Sequence, residues 1–218
     1  MAPIMLVTGG NRGIGLSIVR GLAERAPDGT IIVASRQGSA AEGAIATLQQ
    51  EGVKATFHAL SLDVTNDESI RTAVQEVNIL VNNAGIGLNP SADYSDFRHT
   101  YNKVFDTNIT SVALLSHLFM PLLLKSNNPK IINLSSGRAS VHALTTGTLP
   151  PTASVSYSVS KTALNVLTLE MAKQFPDVAF YAATPGHCST ALNAFKGKRD
   201  PDEGAGVIVE LAVADKGK

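Results

Sequence analysis

The chain has 218 residues, which is enough for one large domain and too few for two domains with well-formed cores. Its 18 basic and 18 acidic side chains balance to a formal charge of zero, which excludes binding to nucleic acid or to a membrane surface through a basic excess. Hydrophobic residues make up 44% of the chain and charged residues 17%, so a disordered protein is excluded as well. We therefore expect a single globular domain over residues 1–218.

Cysteine and histidine usage indicates a protein without disulfides or metal. Cys188 is the only cysteine, and the five histidines show no spacing typical of zinc ligands. The apolar stretch Val112 to Leu124 is too short to span a bilayer, and it predicts a buried helix. The amino-terminal segment has no basic leader typical of a signal peptide, so we expect a cytoplasmic protein.

Short runs of β-branched and apolar residues alternate with helical periods along the chain. The six predicted strands are Ile4 to Thr8, Thr30 to Ala34, Ala55 to Leu60, Ile79 to Asn82, Lys130 to Leu134 and Val178 to Ala183. The predicted helices are marked by Ile14, Ile18 and Leu22, by Ile70, Ala73, Val74 and Val77, by Leu164, Leu167, Leu169 and Met171, and by Gly206 to Val213. Apolar strands that are each followed by a helix predict a doubly wound α/β fold, with a mostly parallel sheet between two helical layers.

A glycine-rich segment, Thr8 to Gly15, lies between the first predicted strand and the first helix. Glycines in such a turn let backbone N–H groups approach a pyrophosphate, while the start of the helix faces the anion with its positive dipole end. The segment lacks the Gly-Lys-Ser/Thr ending of a P-loop, so a nucleotide triphosphatase is the weaker interpretation. The predicted cofactor contacts in this segment are Gly9, Asn11, Arg12, Gly13, Ile14 and Gly15.

The second predicted strand is followed by Arg36, at the distance from the glycines where enzymes that use NAD carry an acid for the ribose hydroxyls. No acid occupies that position. Arg36 and Arg12 can instead bind a 2′-phosphate through their guanidinium groups. The pattern favours NADP(H) as the cofactor, and two solvated surface arginines are the alternative interpretation.

Tyr157 and Lys161 are four residues apart, which on a helix places both side chains on one face. A phenol ordinarily has a pKa of about 10, and we expect the Lys161 ammonium to lower the pKa of Tyr157 toward neutrality. Ser136 follows the fifth predicted strand at the carboxyl edge of the sheet, where its hydroxyl can hold a substrate carbonyl. Taken singly, the three could equally be an edge tyrosine, a solvated lysine and a capping serine.

These motifs together resemble the short-chain dehydrogenase/reductase family over nearly the whole chain. The resemblance rests on the glycine pattern, on Asn-Asn-Ala-Gly at Asn82 to Gly85, and on Tyr-x-x-x-Lys at Tyr157 to Lys161. Segments similar to Thr8-Gly-Gly-Asn-Arg-Gly-Ile-Gly-Leu and Leu62-Asp-Val recur in the carbonyl-reductase-like members. The resemblance implies a Rossmann fold and the NADPH-dependent reduction of a ketone or aldehyde to an alcohol.

The resemblance also implies roles for particular residues. Tyr157 corresponds to the general acid, Lys161 to the residue that lowers the pKa of the tyrosine and holds the nicotinamide ribose, and Ser136 to the residue that orients the carbonyl. Asn108 corresponds to the asparagine that holds a water for a proton relay. The further cofactor contacts that it implies are Asp63, Val64, Asn82, Ala84, Gly85, Tyr157, Lys161, Pro185, Gly186, Ser189 and Thr190. The implied partner is a small carbonyl compound, and a monomer and a homo-oligomer are both open.

Two departures from the family pattern bear on the site. Ser136 and Tyr157 are 21 positions apart, more than is common in the family, and the excess lies in the segment Gly137 to Ser154. We expect the substrate pocket to be formed by Gly137 to Thr152, Ile86 to Ser95 and His187 to Lys196. The helix before Asn78 leads directly into the fourth strand, so it is predicted to be short or to lack a turn.

Other functions are left open by the residues themselves. An NAD-linked alcohol dehydrogenase and a catalytically silent dinucleotide-binding protein are both compatible with the glycine-rich segment. His187 beside Cys188 admits a thiol nucleophile, but no other feature of the sequence supports one.

Overall fold

Strands and helices alternate along residues 2–74 and 76–215, the part of the chain that the computed structural model describes. The strands are β1 (Ile4–Thr8), β2 (Thr30–Ser35), β3 (Thr56–Ser61), β4 (Ile79–Asn82), β5 (Lys130–Leu134) and β6 (Ala179–Ala183). The α-helices are α1 (Gly13–Arg25), α2 (Gly38–Gln50), α3 (Asp67–Ala73), α4 (Phe97–Phe105), α5 (Ser111–Leu123), α6 (Val141–Thr145), α7 (Val155–Gln174) and α8 (Pro201–Val213). A π-helical segment (Asp106–Thr110) joins α4 to α5, and short 3-10 turns lie at Gly137–Ala139 and Ala191–Asn193.

These strands form one parallel sheet in the order β3-β2-β1-β4-β5-β6. Val7 in β1 is in register with Val33 in β2 on one side and with Val81 in β4 on the other. The strand order changes direction between β1 and β4, so a crevice opens there beyond the carboxyl ends of the strands. The predicted doubly wound α/β fold is confirmed.

Helices cover both faces of the sheet because successive residues of a strand point to opposite faces. Met5 and Val7 belong to a core shared with α1, α2 and α8, whereas Leu6 belongs to a core shared with α3, α5 and α7. Strands β3 and β6 lie at the sheet edges and are partly exposed. The prediction of strands that are apolar on both faces therefore holds for the central strands only.

Helix α3 is shorter than the hydrophobic spacing predicts. Val74 already has extended backbone torsions (φ −66°, ψ 114°), so Val74 and Val77 lie outside the helix even though Val77 is fully buried. An extended residue such as Val74 advances about 3.3 Å and a helical residue about 1.5 Å, so ending the helix before Val74 shortens the path to β4. Asn78 holds the start of β4 against β1. Its Oδ1 accepts from the N–H of Ile4 at 2.6 Å, and its own N–H donates to the Ile4 carbonyl at 2.8 Å.

Helices α5 and α7 differ in how completely their apolar residues are buried. Helix α5 is buried along one face as predicted and continues through Pro121. Leu169 lies in α7, as its helical spacing predicts, but it is 63% exposed and so lies outside the buried face of the helix. It lies two residues from Leu167 and two from Met171, a separation that points side chains to different sides of a helix. In the described residues no helix combines the length and the apolar character needed to cross a membrane.

A buried lysine fixes the carboxyl end of α8. Lys130, the first residue of β5, is fully buried, and its ammonium donates to the carbonyl oxygens of Ala212 and Ala214. These carbonyls belong to the last turn of α8, where the helix dipole favours a cation. Desolvation lowers the pKa of Lys130. The sequence pattern treats Lys130 as an ordinary strand residue, so this anchor is a feature that only the structure shows.

Candidate active site

The glycine-rich turn between β1 and α1 uses backbone conformations and close contacts that favour glycine. Gly9 and Gly13 have positive φ angles of 63° and 53°. A Cβ on Gly15 would clash with the carbonyl oxygen of Gly9 and with the side-chain amide of Asn83. Arg12, at the N-cap of α1, is exposed and makes no side-chain capping bond to the described backbone.

Asn83 braces this turn from the end of β4, although sequence reasoning did not single it out. Its Nδ2 donates to the carbonyl oxygens of Thr8 at 2.8 Å and Gly9 at 3.1 Å. The Thr8 hydroxyl accepts from the N–H groups of Asn83 and Ala84, each at 3.0 Å, and so ties the ends of β1 and β4 together. The only signal in the sequence is the position of Asn83 as the second asparagine of a doublet after a predicted strand.

Replacing Gly15 with Ala is expected to destabilise the fold by about 1–3 kcal/mol and to weaken dinucleotide binding, because the added methyl group has no room beside Gly9. Urea unfolding and a fluorescence titration with NADPH measure the two effects. Gly43→Ala in α2 is the matched control, since a Cβ there meets no atom within 4 Å and a helical alanine is favoured. A Gly15→Ala protein that folds and binds like wild type would contradict this account of the turn.

Two exposed arginines, Arg12 and Arg36, lie near the carboxyl ends of β1 and β2. The charge of Arg36 contributes to lowering the pKa of Asp63, although the backbone hydrogen bond from Thr65 is the largest cause. Asp63 Oδ1 accepts from the N–H of Thr65 at 2.9 Å and from its hydroxyl at 2.7 Å. The neighbouring Val64 is buried. The structure thus brings Arg36 and Asp63, two of the predicted cofactor residues, to the same part of the sheet edge.

Ser136, Tyr157 and Lys161 meet at the carboxyl edge of β5. Ser136 lies just beyond β5, and its hydroxyl is close enough to the phenol of Tyr157 to lower the pKa of that phenol. Lys161 follows one turn later on α7, with its Nζ 5.8 Å from the centre of the Tyr157 ring. The same Nζ donates to the carbonyl oxygen of Leu134 at 2.7 Å. The structure therefore brings the three predicted catalytic side chains together.

Burial controls the proton affinities of this group. Desolvation raises the pKa of Tyr157 above its ordinary value, and the hydrogen bond from Ser136 offsets only part of this rise. Desolvation lowers the pKa of Lys161 to about 8. The expectation that Lys161 lowers the pKa of Tyr157 is therefore wrong in its net direction. The physical reason is that burial of the phenol outweighs an ammonium whose hydrogen bond goes to Leu134.

Asn108 lies in the π-helical segment and is fully buried. Its Oδ1 accepts from the N–H of Ile86 at 2.9 Å, and its Nδ2 donates to the carbonyl of Ile86 at 2.9 Å and to the hydroxyl of Ser160 at 3.0 Å. Gly85 passes close by, since a Cβ there would lie 3.3 Å from Asn108 Oδ1 and 3.5 Å from Lys161 Nζ. Asn108 therefore holds the loop after β4 against α7, and π turns are frequent at functional sites.

The segment after β6 folds back toward the glycine-rich turn. A Cβ on Gly13 would lie 3.6 Å from the methyl group of Thr190, so the two regions are adjacent. The Pro185 carbonyl accepts from the Arg199 guanidinium at 3.3 Å, and Gly186 follows with a φ of 79°. The remaining predicted residue of this segment, Ser189, donates from its hydroxyl to the backbone of the same folded loop. The loop thus places Thr190, one of its predicted cofactor residues, beside the turn.

The thiol of Cys188 belongs to this loop but does not have the properties of a nucleophile. Cys188 is buried, and its Sγ donates to the carbonyl of Pro185 at 3.2 Å. Desolvation raises the pKa of Cys188, whereas a reactive cysteine needs a lowered pKa. The thiol alternative therefore gains no support from the structure.

A buried chain of polar side chains links β4 and β5 to α7 behind the site. Asn82 Nδ2 donates to Asn133 Oδ1 at 2.8 Å, and Asn133 Nδ2 donates to the Thr168 hydroxyl at 2.9 Å. Sequence reasoning assigned Asn82 to the cofactor and overlooked Asn133 and Thr168. Their connection depends on the register that places Asn82 opposite Asn133, which the sequence does not show. The buried side chain of Asn82 orients the strand ends on which the site is built.

The donor groups at this edge fit a nicotinamide dinucleotide. The uncapped first N–H groups of α1 can bind a pyrophosphate, because within the described residues no side chain takes their place. An ammonium carries three N–H donors, and the Leu134 carbonyl takes one from Lys161, so the others can reach ribose hydroxyls. Arg12 and Arg36 add positive charge at the end of the crevice where β2 terminates.

Comparisons with known proteins agree with this geometry. Residues 3–201 match the family described as short chain dehydrogenase. The chain belongs to this family. A short-chain dehydrogenase/reductase of Aspergillus fumigatus is 34% identical to it over 99% of this chain and 90% of the relative. A second short-chain dehydrogenase/reductase, from Talaromyces stipitatus, is 31% identical over 87% of this chain and 80% of the relative.

Solved structures of other short-chain dehydrogenases superpose on the chain. The NADPH-bound carbonyl reductase from chicken fatty liver has a TM-score of 0.82 and 27% identity, covering 97% of this chain and 87% of that chain. A gluconate 5-dehydrogenase from Burkholderia cenocepacia in complex with NADP and tartrate has a TM-score of 0.78 and 25% identity, covering 96% of this chain and 88% of that chain. This short-chain dehydrogenase is accordingly an oxidoreductase that binds a nicotinamide dinucleotide.

Proposed function

We propose that this short-chain dehydrogenase reduces a ketone or aldehyde to an alcohol with NADPH, using Tyr157 as the general acid. The observation that carries the proposal is the meeting of Ser136, Tyr157 and Lys161 at the sheet edge that also holds the glycine-rich turn. The likeness to an NADPH-bound carbonyl reductase supports the same reaction class.

The preference for NADPH over NADH is supported by the charge at the end of β2. Arg36 stands where enzymes that use NAD carry an acid for the ribose hydroxyls. Both Arg36 and Arg12 are exposed, so their guanidinium groups are accessible to a 2′-phosphate. The related structures in complex with NADPH and NADP are consistent with this choice.

The protein's part in the reaction is to hold the carbonyl oxygen and to give it a proton. The cofactor, when bound, supplies the hydride. Tyr157 stays protonated at neutral pH because its pKa is raised, and a protonated phenol is the form that an acid needs in the reductive direction. The Ser136 hydroxyl, which lies beside the phenol, can donate its one hydrogen bond to the same carbonyl oxygen.

Lys161 and Asn108 complete the proposed proton path. A pKa of about 8 lets the Lys161 ammonium give up a proton near neutral pH, so that it can return a proton toward Tyr157 after each turnover. Asn108 is proposed to hold a relay water beside Lys161. Its hydrogen bonds to Ile86 and Ser160 keep the backbone of this region in place for that role.

Replacing Arg36 with Ala is expected to raise the KM for NADPH about 10- to 150-fold and to leave the KM for NADH little changed. The reason is that a hydrogen bond to a charged group contributes about 1.5–3 kcal/mol. NADPH loses this bond to its 2′-phosphate in the variant, whereas NADH has no 2′-phosphate and never made it. The measurement is the steady-state rate on one ketone at varied concentrations of each cofactor.

Arg98→Ala on α4 is the matched control for this variant, since Arg98 is also an exposed arginine but lies on another element. An Arg36→Ala enzyme with an unchanged ratio of the two KM values would refute the assignment of Arg36 to the 2′-phosphate. A wild-type preference for NADH would instead favour an NAD-linked alcohol dehydrogenase.

A further inference from the structure

Large apolar side chains are exposed on the three loops that leave the carboxyl ends of β4, β5 and β6. These loops emerge at the sheet edge that holds Ser136 and Tyr157. We call the set of exposed residues the apolar rim: Leu88, Val141, Leu144, Leu192 and Phe195. Phe195 is the most exposed of them, at 69%. Side chains of this kind are costly to leave in water, so their convergence on one edge calls for a partner.

Direct contacts connect the loops of the rim to the catalytic helix and the glycine-rich turn. The Ser156 hydroxyl, next to Tyr157, donates to the carbonyl of Leu88 at 2.9 Å. The Thr162 hydroxyl donates to the carbonyl of Ala139 at 3.2 Å, which ties the loop after β5 to α7. The loop after β6 reaches the glycine-rich turn through Thr190. The loops that carry the rim therefore lie against the catalytic helix and the glycine-rich turn.

Many polar side chains of the same loops are engaged within the loops. In the loop after β4, Asp93 accepts from the hydroxyls of Ser91 and Ser95, and Asp96 accepts from those of Ser91 and Thr100. The hydroxyl of Ser91 is the largest cause of the lowered pKa of Asp93, and the backbone N–H of Ser91, followed by its hydroxyl, is the largest cause of the lowered pKa of Asp96. The acidic groups of this loop are thus used to hold its shape.

The other two loops show the same arrangement. The Arg138 guanidinium donates to the carbonyl of Pro150 at 2.6 Å, and the Thr145 and Thr146 hydroxyls both donate to the carbonyl of His142. In the loop after β6, the Asn193 amide donates to the backbone of the same loop at 2.8 Å. These polar groups already have hydrogen-bond partners within the loops, whereas the apolar side chains of the rim are exposed without such partners.

We propose that the substrate is a carbonyl compound with a large alkyl or aryl body, and that the apolar rim selects it against polyhydroxylated ketones such as sugar acids. This inference rests on the proposed reductase function and names the substrate class of the same site. A polyol would require free donors and acceptors to replace its bound water, and many of those in these loops already have partners. A hydrophobic body needs only apolar contact, which the rim supplies.

The first test compares kcat/KM for methyl ketones from butanone to 2-nonanone, with 5-ketogluconate as the polyhydroxylated ketone. We expect kcat/KM to rise about threefold to fourfold per added methylene until the rim is filled, and 5-ketogluconate to be a poorer substrate than 2-nonanone. A value of kcat/KM that is independent of chain length, or a preference for 5-ketogluconate, would overturn the proposal.

The second test changes the rim itself. Phe195 has a positive φ of 60°, so Phe195→Asn is chosen because asparagine tolerates this backbone conformation. Phe195→Asn and Leu144→Gln are each expected to lower kcat/KM for 2-nonanone about tenfold and to lower that for butanone much less. Leu169→Gln, at a similarly exposed leucine on the outer face of α7, is the control and should change neither value. Equal losses of kcat/KM for 2-nonanone and butanone would contradict the proposed role of the rim.

Binding separates a failure of this inference from a failure of the proposed function. Calorimetry measures the affinity of butanone and 2-nonanone for the protein–NADPH complex without requiring turnover. In one outcome 2-nonanone binds more tightly than butanone, Phe195→Asn abolishes this difference, and no ketone is reduced. That outcome would support the proposed role of the rim and overturn the reductase function. Equal affinity of the two ketones would overturn the rim whether or not either is reduced.

Discussion

A Tyr157→Phe enzyme is expected to lose about 10²- to 10⁴-fold in kcat for ketone reduction while its affinity for NADPH stays the same. Tyr157 is placed to protonate the carbonyl oxygen, and a positioned general acid contributes a factor of this size. The aromatic ring remains in the variant, so packing beside Gly87 and Lys161 is retained. The measurements are NADPH oxidation with a ketone and a fluorescence titration of NADPH binding.

Tyr181→Phe provides the matched control, because Tyr181 lies on β6 in the sheet and has no place in the proposed proton path. It should retain the wild-type rate. A Tyr157→Phe enzyme with wild-type kcat would remove Tyr157 from the role of acid. Wild-type protein that binds NADPH and reduces no carbonyl would favour the catalytically silent dinucleotide-binding protein.

A Lys161→Met protein is expected to be more stable than wild type at pH 7, by about 2 kcal/mol, and to be nearly inactive. Burial lowers the pKa of Lys161 from its ordinary value of 10.5 to about 8, and each unit of difference costs the charged folded form about 1.4 kcal/mol. Loss of the hydrogen bond to the Leu134 carbonyl reduces the expected increase in stability by about 1 kcal/mol. Urea unfolding measures the stability, and NADPH oxidation measures the activity.

The difference between the pKa values of Lys161 in the folded and unfolded chain also predicts how the free energy of unfolding changes with pH. Between pH 8 and 10.5 the unfolded chain keeps the proton on Lys161 and the folded chain releases it, so the free energy of unfolding of wild type rises with pH. Lys161→Met lacks this rise, and its advantage should shrink across that range. Lys173→Met, at an exposed lysine of α7, is the control and should show neither effect. A Lys161→Met protein less stable than wild type at pH 7 would contradict the burial cost.

The fold was predictable where local pattern and burial agree. Strands β1, β4 and β5 match their predicted bounds because each is a short apolar run between clear breaks. The pattern failed at Val77, which is a core residue outside the helix, because hydrophobic spacing reports burial and does not fix where a helix ends. Leu169 lies in the predicted helix but is exposed, because an apolar residue on a helix can face outward.

The candidate site was predictable where a motif is local in sequence, as for the glycine-rich turn and for Tyr157 with Lys161. It was not predictable where contacts join distant strands: Asn83 bracing the turn depends on β4 lying beside β1. The direction of the pKa shift of Tyr157 depends on burial, and spacing along a helix carries no information about burial.

The most direct test of the account is the product formed when wild-type protein, NADPH and 2-nonanone are mixed. The account predicts that NADPH is oxidised and that the alcohol 2-nonanol appears in equal amount, with NADH at least about tenfold less effective in kcat/KM. Binding of NADPH without oxidation and without any alcohol, across a panel of ketones and aldehydes, would contradict it.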